Sequence, residues 1–178
     1  MRIIKKVAIT GPESTGKSRL CRDLALHFNG FCVPEFARAY IDRLSRPYTQ
    51  EDISAIAKGQ LILEQKVVAQ AGRMARSPVV FCDTELIVTK VWSLHKYGKC
   101  DPWILKQILN NHYDLYLLCD VDLPWEPDPQ REHPELRTHF FDWYKRELDQ
   151  YKFPYRVVKG DGKHRIRNAI SFIEPVFP

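Results

Sequence analysis

Residues 3–18 read IIKKVAITGPESTGKS. The first half, Ile3–Thr10, is apolar and β-branched and predicts a strand. The second half, Gly11 to Ser18, is a complete G-x-x-x-x-G-K-[ST] string. Behind it Leu20, Leu24, Ala25 and Phe28 recur at helical spacing, which predicts a helix over Arg19–Phe28. A strand feeding a tight loop that opens a helix aims successive backbone N–H groups at one point, and the helix dipole adds positive potential there. Gly11 and Gly16 predict a close approach of backbone to phosphate oxygens. Lys17 is placed to reach β- and γ-phosphates, and the Ser18 hydroxyl to ligate Mg²⁺. The expected ligand is ATP or a close relative. It would be held by Gly11, Glu13, Ser14, Thr15, Gly16, Lys17, Ser18 and the following Arg19.

Four further apolar runs predict strands: Phe31–Val33, Val79–Cys82, Leu115–Cys119 and Tyr155–Val158. Helical patterns lie between them at Glu35–Leu44, from Thr49 toward Arg76, and at Glu85–Lys96, Trp103–Asn110, Pro134–Tyr151 and His164–Phe172. Thr49 and Asp52 stand at capping-box spacing before the stripe Ile53, Ile56, Ala57, Leu61, Val68 and Ala71. Pro134 opens its helix where a missing N–H costs nothing, ahead of Leu136, Phe140, Tyr144 and Leu148. Strands alternating with helices predict an α/β fold: a parallel five-stranded sheet covered on both faces. Right-handed crossovers then put the ligand at the carboxyl ends of the strands. The segment Asp120–His133, DVDLPWEPDPQREH, is too polar for core and predicts a short lid over about residues 120–137.

The 178 residues predict one domain spanning 1–178, with a single sizeable core. The net charge of +5 is spread without a basic block, which speaks against nucleic acid as a partner. No apolar run approaches the roughly 18 residues a bilayer span needs, so no membrane is expected. The N-terminus enters a strand almost at once, so no signal peptide is expected. Five cysteines form no C-x-x-C pair, and Cys82 and Cys119 lie inside strand-like runs. The histidines have no partner at zinc-ligand spacing. The chain reads as reduced and cytoplasmic.

The strand-end rule selects Glu35 in VPEFAR, Asp83 in VVFCDTE and Asp120 in LYLLCD. Asp83 closes an apolar run as a Mg²⁺-holding carboxylate does, and it equally suits the N-cap of the next helix. Glu35 and Arg38 share a helix face: either a base beside a phosphate- or ribose-steadying arginine, or a surface ion pair. Arg131 would close over the transferring phosphoryl group, or else balance Asp128 and Glu132; Arg137 follows the same segment. Trp125, large and aromatic in a polar loop, either stacks on a substrate ring or tucks against the body of the protein. Gly59, beside Gln60, costs about 1 kcal/mol inside a helix and points to close packing or ligand approach. No N-K-x-D guanine motif is present, and no second motif or arginine finger of a ring ATPase.

This ordered set resembles the ribosylnicotinamide kinase domain of NadR-type proteins and the stand-alone AAA-type P-loop ATPases grouped with them. The residues that carry the resemblance are GPESTGKS at 11–18, Glu35-x-x-Arg38, Gly59-Gln60, DTELIVTK at 83–90 and YGKCDP at 97–102. Trp125, Asp128 and Arg131 (W-x-x-D-x-x-R) and YKFPY at 151–155 complete it. The resemblance implies a P-loop NTPase of the nucleoside- and nucleotide-kinase type. It implies transfer of the ATP γ-phosphate to the 5′-hydroxyl of nicotinamide riboside, giving nicotinamide mononucleotide. Glu35, Arg38, Gln60, Asp83, Trp125 and Asp128 would then contact the nucleoside. Lys17, Glu35, Asp83 and Arg131 would carry catalysis, with Mg²⁺ on Ser18 and Asp83. NadR-type proteins can also hold a helix-turn-helix and an adenylyltransferase domain; 178 residues leave room for neither, so neither activity is expected.

Two classes of function remain open on sequence. In the first, a small-molecule kinase uses Glu35 or Asp83 to orient or deprotonate an acceptor hydroxyl. In the second, a nucleotide-dependent switch hydrolyses ATP and signals to a partner. Trp125 and the strand-end carboxylates suit a pocket better than a partner face.

Overall fold

A computed structural model describes residues 4–74 and 78–177. Strand β1 (Lys5–Thr10) occupies the centre of the sheet, with β3 (Val79–Asp83) and β4 (Leu115–Cys119) on either side. The short β2 (Phe31–Val33) and β5 (Tyr155–Val158) form the edges, giving the order β2-β3-β1-β4-β5 with every pairing parallel. Successive side chains of a strand point to opposite faces, so each central strand feeds two cores. Ala8, Val80, Cys82, Tyr116 and Leu118 enter one core, while Val7, Ile9, Phe81, Leu117 and Cys119 enter the other. Burial on both faces explains why these strands read as unbroken apolar runs.

The first core is closed by α3 (Gln50–Met74), α4 (Leu86–Tyr97), α5 (Pro102–Asn110) and α6 (Arg137–Tyr151). The second is closed by α1 (Lys17–His27) and α7 (Gly162–Ile173). Both faces are therefore covered, as the alternation of elements predicts. The expected strands match, except that β1 starts at Lys5, with Ile3 outside the described residues, and that β3 runs one residue further, to Asp83. The expected end of α3 at Arg76 also lies outside them.

Local chemistry sets the remaining boundaries. Helix α2 (Phe36–Ile41) stops short of the expected Leu44, because the chain tightens into three-residue turns from Tyr40 to Arg43 and Ile41 to Leu44. Pro134–Leu136 forms a 3₁₀ turn before α6 rather than its first α-turn. At the start of α3 the Asp52 carboxylate accepts the Thr49 backbone N–H at 2.7 Å and the Thr49 hydroxyl at 3.2 Å. Gly59 lies against Phe36: a Cβ there would come within 2.1 Å of the ring, so α2 packs on α3 through a missing side chain. Close packing, not ligand approach, is the reason for this glycine.

Candidate functional site

The loop Gly11–Ser18 runs from the end of β1 into α1, and internal bonds hold its shape. The Thr15 hydroxyl donates to the Pro12 carbonyl at 2.8 Å, and Lys17 Nζ donates to the same oxygen at 2.7 Å. Gly16, with φ 75°, caps α1 in the left-handed region. Gly11 is also required by packing. A Cβ at its φ of 134° would lie 2.9 Å from the Cys119 carbonyl, so the end of β4 excludes a side chain there.

Arg165 on α7, which sequence reasoning passed over, supports the loop from beneath. Its buried guanidinium donates to the carbonyls of Thr15 at 2.8 Å, Gly160 at 2.7 Å and Asp120 at 3.2 Å, and to Asp122 Oδ1 at 2.7 Å. An arginine on an amphipathic helix reads as a solvated face, and no spacing rule connects it to a loop 150 residues away.

Asp83 ends β3 beside Ile9 of β1 and is buried, and its Oδ1 has no hydrogen-bond partner. Burial raises its pKa, while the Ser18 hydroxyl and then the Lys17 charge draw it down. Thr84 follows with φ 66°, a strained conformation for a β-branched residue, fixed by its N–H on the Ile9 carbonyl at 3.0 Å. The turn hands helix capping to Glu85, which accepts the Ile87 N–H at 2.6 Å and the Thr10 hydroxyl at 3.2 Å. Asp83 is thus not the N-cap of α4. Glu85 is fully enclosed, and burial pushes its carboxyl up to about 7.

Glu35 stands at the junction of β2 and α2. Burial raises its pKa most, Lys17 and Arg38 lower it, and Asp83 and Glu13 raise it further. It therefore shares one electrostatic site with the loop lysine and the β3 carboxylate. Gln60 is buried on α3 and lies outside the cleft, contrary to its place in the expected substrate set. Its carbonyl accepts the Phe36 N–H at 2.8 Å and its amide donates to the Pro34 carbonyl at 3.4 Å, so it clamps the backbone on both sides of Glu35.

The segment after β4 is stitched to the loop. Glu13 Oε2 accepts the backbone N–H groups of Glu132 at 3.1 Å and His133 at 3.2 Å. The Ser14 hydroxyl accepts from Glu126 N–H at 2.9 Å and from Arg131 at 3.4 Å, and Arg131 also donates to the Glu126 carbonyl. Arg131 and Arg19 both line the cleft. The Glu35–Arg38 pairing does not form: Arg38 Nη1 reaches across the cleft to Asp128 Oδ2 at 2.9 Å instead. Trp125 and Asp128, expected to touch the nucleoside, are not among the cleft-lining residues. Trp125 lies under the Arg137 guanidinium, 6.0 Å from its ring centre, and so tucks against the body of the protein.

The cleft has a volume of about 800 Å³ and runs from the loop past Glu35 to an aromatic chamber of Tyr48, Trp92, His95, Phe140 and Tyr144. Tyr48 and Trp92 meet edge to face at 4.8 Å, and Trp92 Nε1 donates to the Tyr48 hydroxyl at 3.0 Å. His95 meets Phe140 edge to face at 4.8 Å. Val88, Trp92 and His95 fall at i, i+4 and i+7 of α4, a signal present in the sequence. It reads equally as core, and only the tertiary arrangement makes it a wall of the cleft. Among the described residues no group of three His, Cys, Asp or Glu side chains is arranged to hold a metal alone. No helix there is long and apolar enough to cross a membrane.

A family model described as an AAA domain matches residues 6–165. The chain belongs to the AAA domain family. This AAA domain is 30% identical over 134 residues to the trifunctional NAD biosynthesis/regulator protein NadR of Salmonella typhimurium (strain LT2), and equally so to that of Escherichia coli (strain K12). Each match covers 72% of this chain and 31% of the relative, so the chain spans less than a third of the length of these curated relatives. Its fold is that of a P-loop NTPase. A crystal structure of NadR protein in complex with NR aligns at a TM-score of 0.79 and 25% identity, over 97% of this chain and 49% of that one. Thymidylate kinase from Ehrlichia chaffeensis shares the fold at a TM-score of 0.66 and 13% identity, over 97% and 98% of the two chains. This AAA domain therefore shares its fold with a nucleotide kinase along nearly the whole length of both chains.

Proposed function

We propose that residues 1–178 act as one kinase unit that transfers the γ-phosphate of ATP to the 5′-hydroxyl of a nucleoside, nicotinamide riboside first among the candidates. The observation that carries this reading is Glu35, a half-buried carboxylate in one electrostatic site with Lys17 and Asp83, lining the same cleft as an aromatic chamber. A switch that signals to a partner needs an exposed surface, whereas Lys17, Ser18 and Glu35 line a cleft and Asp83 lies buried against Ser18. The relatives named for NAD biosynthesis, and the solved complex with NR, favour the riboside over other acceptors.

Mg²⁺ fits the residues present. Asp83 Oδ1 is buried without a partner, and the Ser18 hydroxyl faces the same carboxylate. Ser18 and Asp83 would hold the ion, which would offset charge on the β- and γ-phosphate oxygens. Lys17 releases the Pro12 carbonyl and turns to those oxygens, joined from the 120–137 lid by Arg131. Glu35 accepts the proton of the acceptor hydroxyl. Its raised pKa keeps it a stronger base than an ordinary carboxylate, while Lys17 keeps it from rising further. Trp92 and Tyr48 present ring faces and edges to the base.

The test is product formation from purified protein, Mg-ATP and nicotinamide riboside, beside a panel of purine and pyrimidine nucleosides. Conversion of the riboside to its 5′-phosphate with matching ADP release is expected. ATP hydrolysis without any phosphorylated nucleoside would overturn the kinase reading, and phosphorylation of another nucleoside alone would reassign the acceptor. Trp92→Ala is expected to raise the riboside KM roughly tenfold while leaving the ATP KM in place.

A further inference from the structure

The sulfur atoms of Cys21 and Cys32 lie 2.7 Å apart, about 0.7 Å beyond the length of a disulfide bond. They belong to neighbouring elements, Cys21 on α1 and Cys32 on β2, and among the described residues no other pair of cysteine sulfurs lies within hydrogen-bonding contact. Cys82 and Cys119 are enclosed in strands, and Cys100 packs against the first core with its sulfur donating to the Asp101 carbonyl at 3.7 Å. We propose that Cys21 and Cys32 are a redox-active dithiol, a modification site that closes to an intramolecular disulfide by exchange with a small-molecule disulfide.

The surroundings assign the two sulfurs different parts. Cys32 is half-buried and open to an incoming reagent, whereas Cys21 is enclosed. The Cys21 S–H, donating to Cys32, holds the Cys32 thiol below its ordinary range, and the Arg22 charge acts in the same direction. The Cys32 thiolate attacks one sulfur of the reagent, forming a mixed disulfide and expelling one thiolate, which takes up a proton. Cys21 then attacks the Cys32 sulfur, and its proton passes to the second reagent thiolate as that group leaves. Two protein thiols and one reagent disulfide become one protein disulfide and two reagent thiols. The bond would tie the helix that carries Lys17 and Ser18 to the strand that leads into Glu35. It does not depend on the identity of the acceptor.

The test is to incubate the folded full chain in glutathione redox buffers, quench with acid, alkylate and digest with trypsin. Cleavage after Arg19, Arg22 and Arg38 places the two cysteines on separate peptides, 20–22 and 23–38. The expected product is these two peptides joined, with Cys82 and Cys119 still alkylated as thiols. In Cys21→Ser the glutathione adduct is expected to persist on Cys32, because nothing resolves it. A persistent adduct on Cys32 of the unsubstituted protein would overturn the proposal. So would peptides 20–22 and 23–38 that stay unlinked in the folded chain yet join after unfolding in urea.

Discussion

Arg165 Nη2 donates to the Thr15 carbonyl at 2.8 Å, so the last helix holds the floor of the phosphate loop. The same side chain satisfies two further carbonyls and Asp122. Arg165→Ala strips all four acceptors at once and is expected to cost about 3 kcal/mol of stability, as the loss of one partner from a buried charged network does. Urea unfolding measures this, and an ATP-analogue titration at a temperature where the variant is folded is expected to show weaker binding. Unchanged affinity in a folded Arg165→Ala protein would refute the supporting role.

Glu35→Gln tests the proposed base. The amide keeps the shape and loses the proton acceptor, so kcat is expected to fall roughly 10²–10⁴-fold with little change in the ATP KM. In the unsubstituted protein the rate requires ionised Glu35 and drops as pH falls through its pKa. Burial raises that pKa, so the acid limb of the kcat profile is expected above the ordinary carboxylate range, and the substitution removes that limb. A variant with wild-type kcat would transfer the role to Asp83.

Glu85 predicts a pH dependence of stability. Its folded pKa of about 7 lies above its ordinary 4.5, so between these values the folded chain binds more protons than the unfolded one. Stability therefore falls as pH rises through this window, by about 3 kcal/mol at most. Glu85→Gln keeps an acceptor for the Ile87 N–H and removes the ionisation. It is expected to flatten the slope and raise stability at pH 7.5, measured by urea midpoints at pH 5 and 7.5. An unaltered slope would show that Glu85 is not its source.

Gly59→Ala sets helix propensity against packing. Alanine favours an isolated helix by about 1 kcal/mol, yet its Cβ would meet Phe36 at 2.1 Å. Overpacking is expected to win, with a net loss of about 1–3 kcal/mol in thermal or urea unfolding. Displacement of Phe36 also moves Glu35, so kcat is expected to fall with stability, whereas Ile62→Ala on the exposed face of the same helix leaves kcat unchanged.

Most of the frame was legible because it is written in local chemistry. The glycine-bounded loop, the apolar runs of the central strands and the Thr49–Asp52 start of α3 each depend on residues close in sequence. The strand-end rule also found Glu35 and Asp83, since parallel topology brings every strand's carboxyl end to one rim. Pairing was less legible. Arg38 and Glu35 share a helix turn, yet Arg38 bonds Asp128 across the cleft, a choice made by the path of a proline-rich segment.

Sequence by itself determined that a phosphate-binding loop opens a doubly covered parallel sheet, because β-strand burial and loop geometry follow from neighbouring residues. Tertiary structure alone decided which groups meet the loop. Arg165 beneath it, Gln60 behind Glu35 and the Tyr48–Trp92 chamber opposite come from separate elements. Helical spacing reports which residues share a face, and only packing reports what that face looks upon.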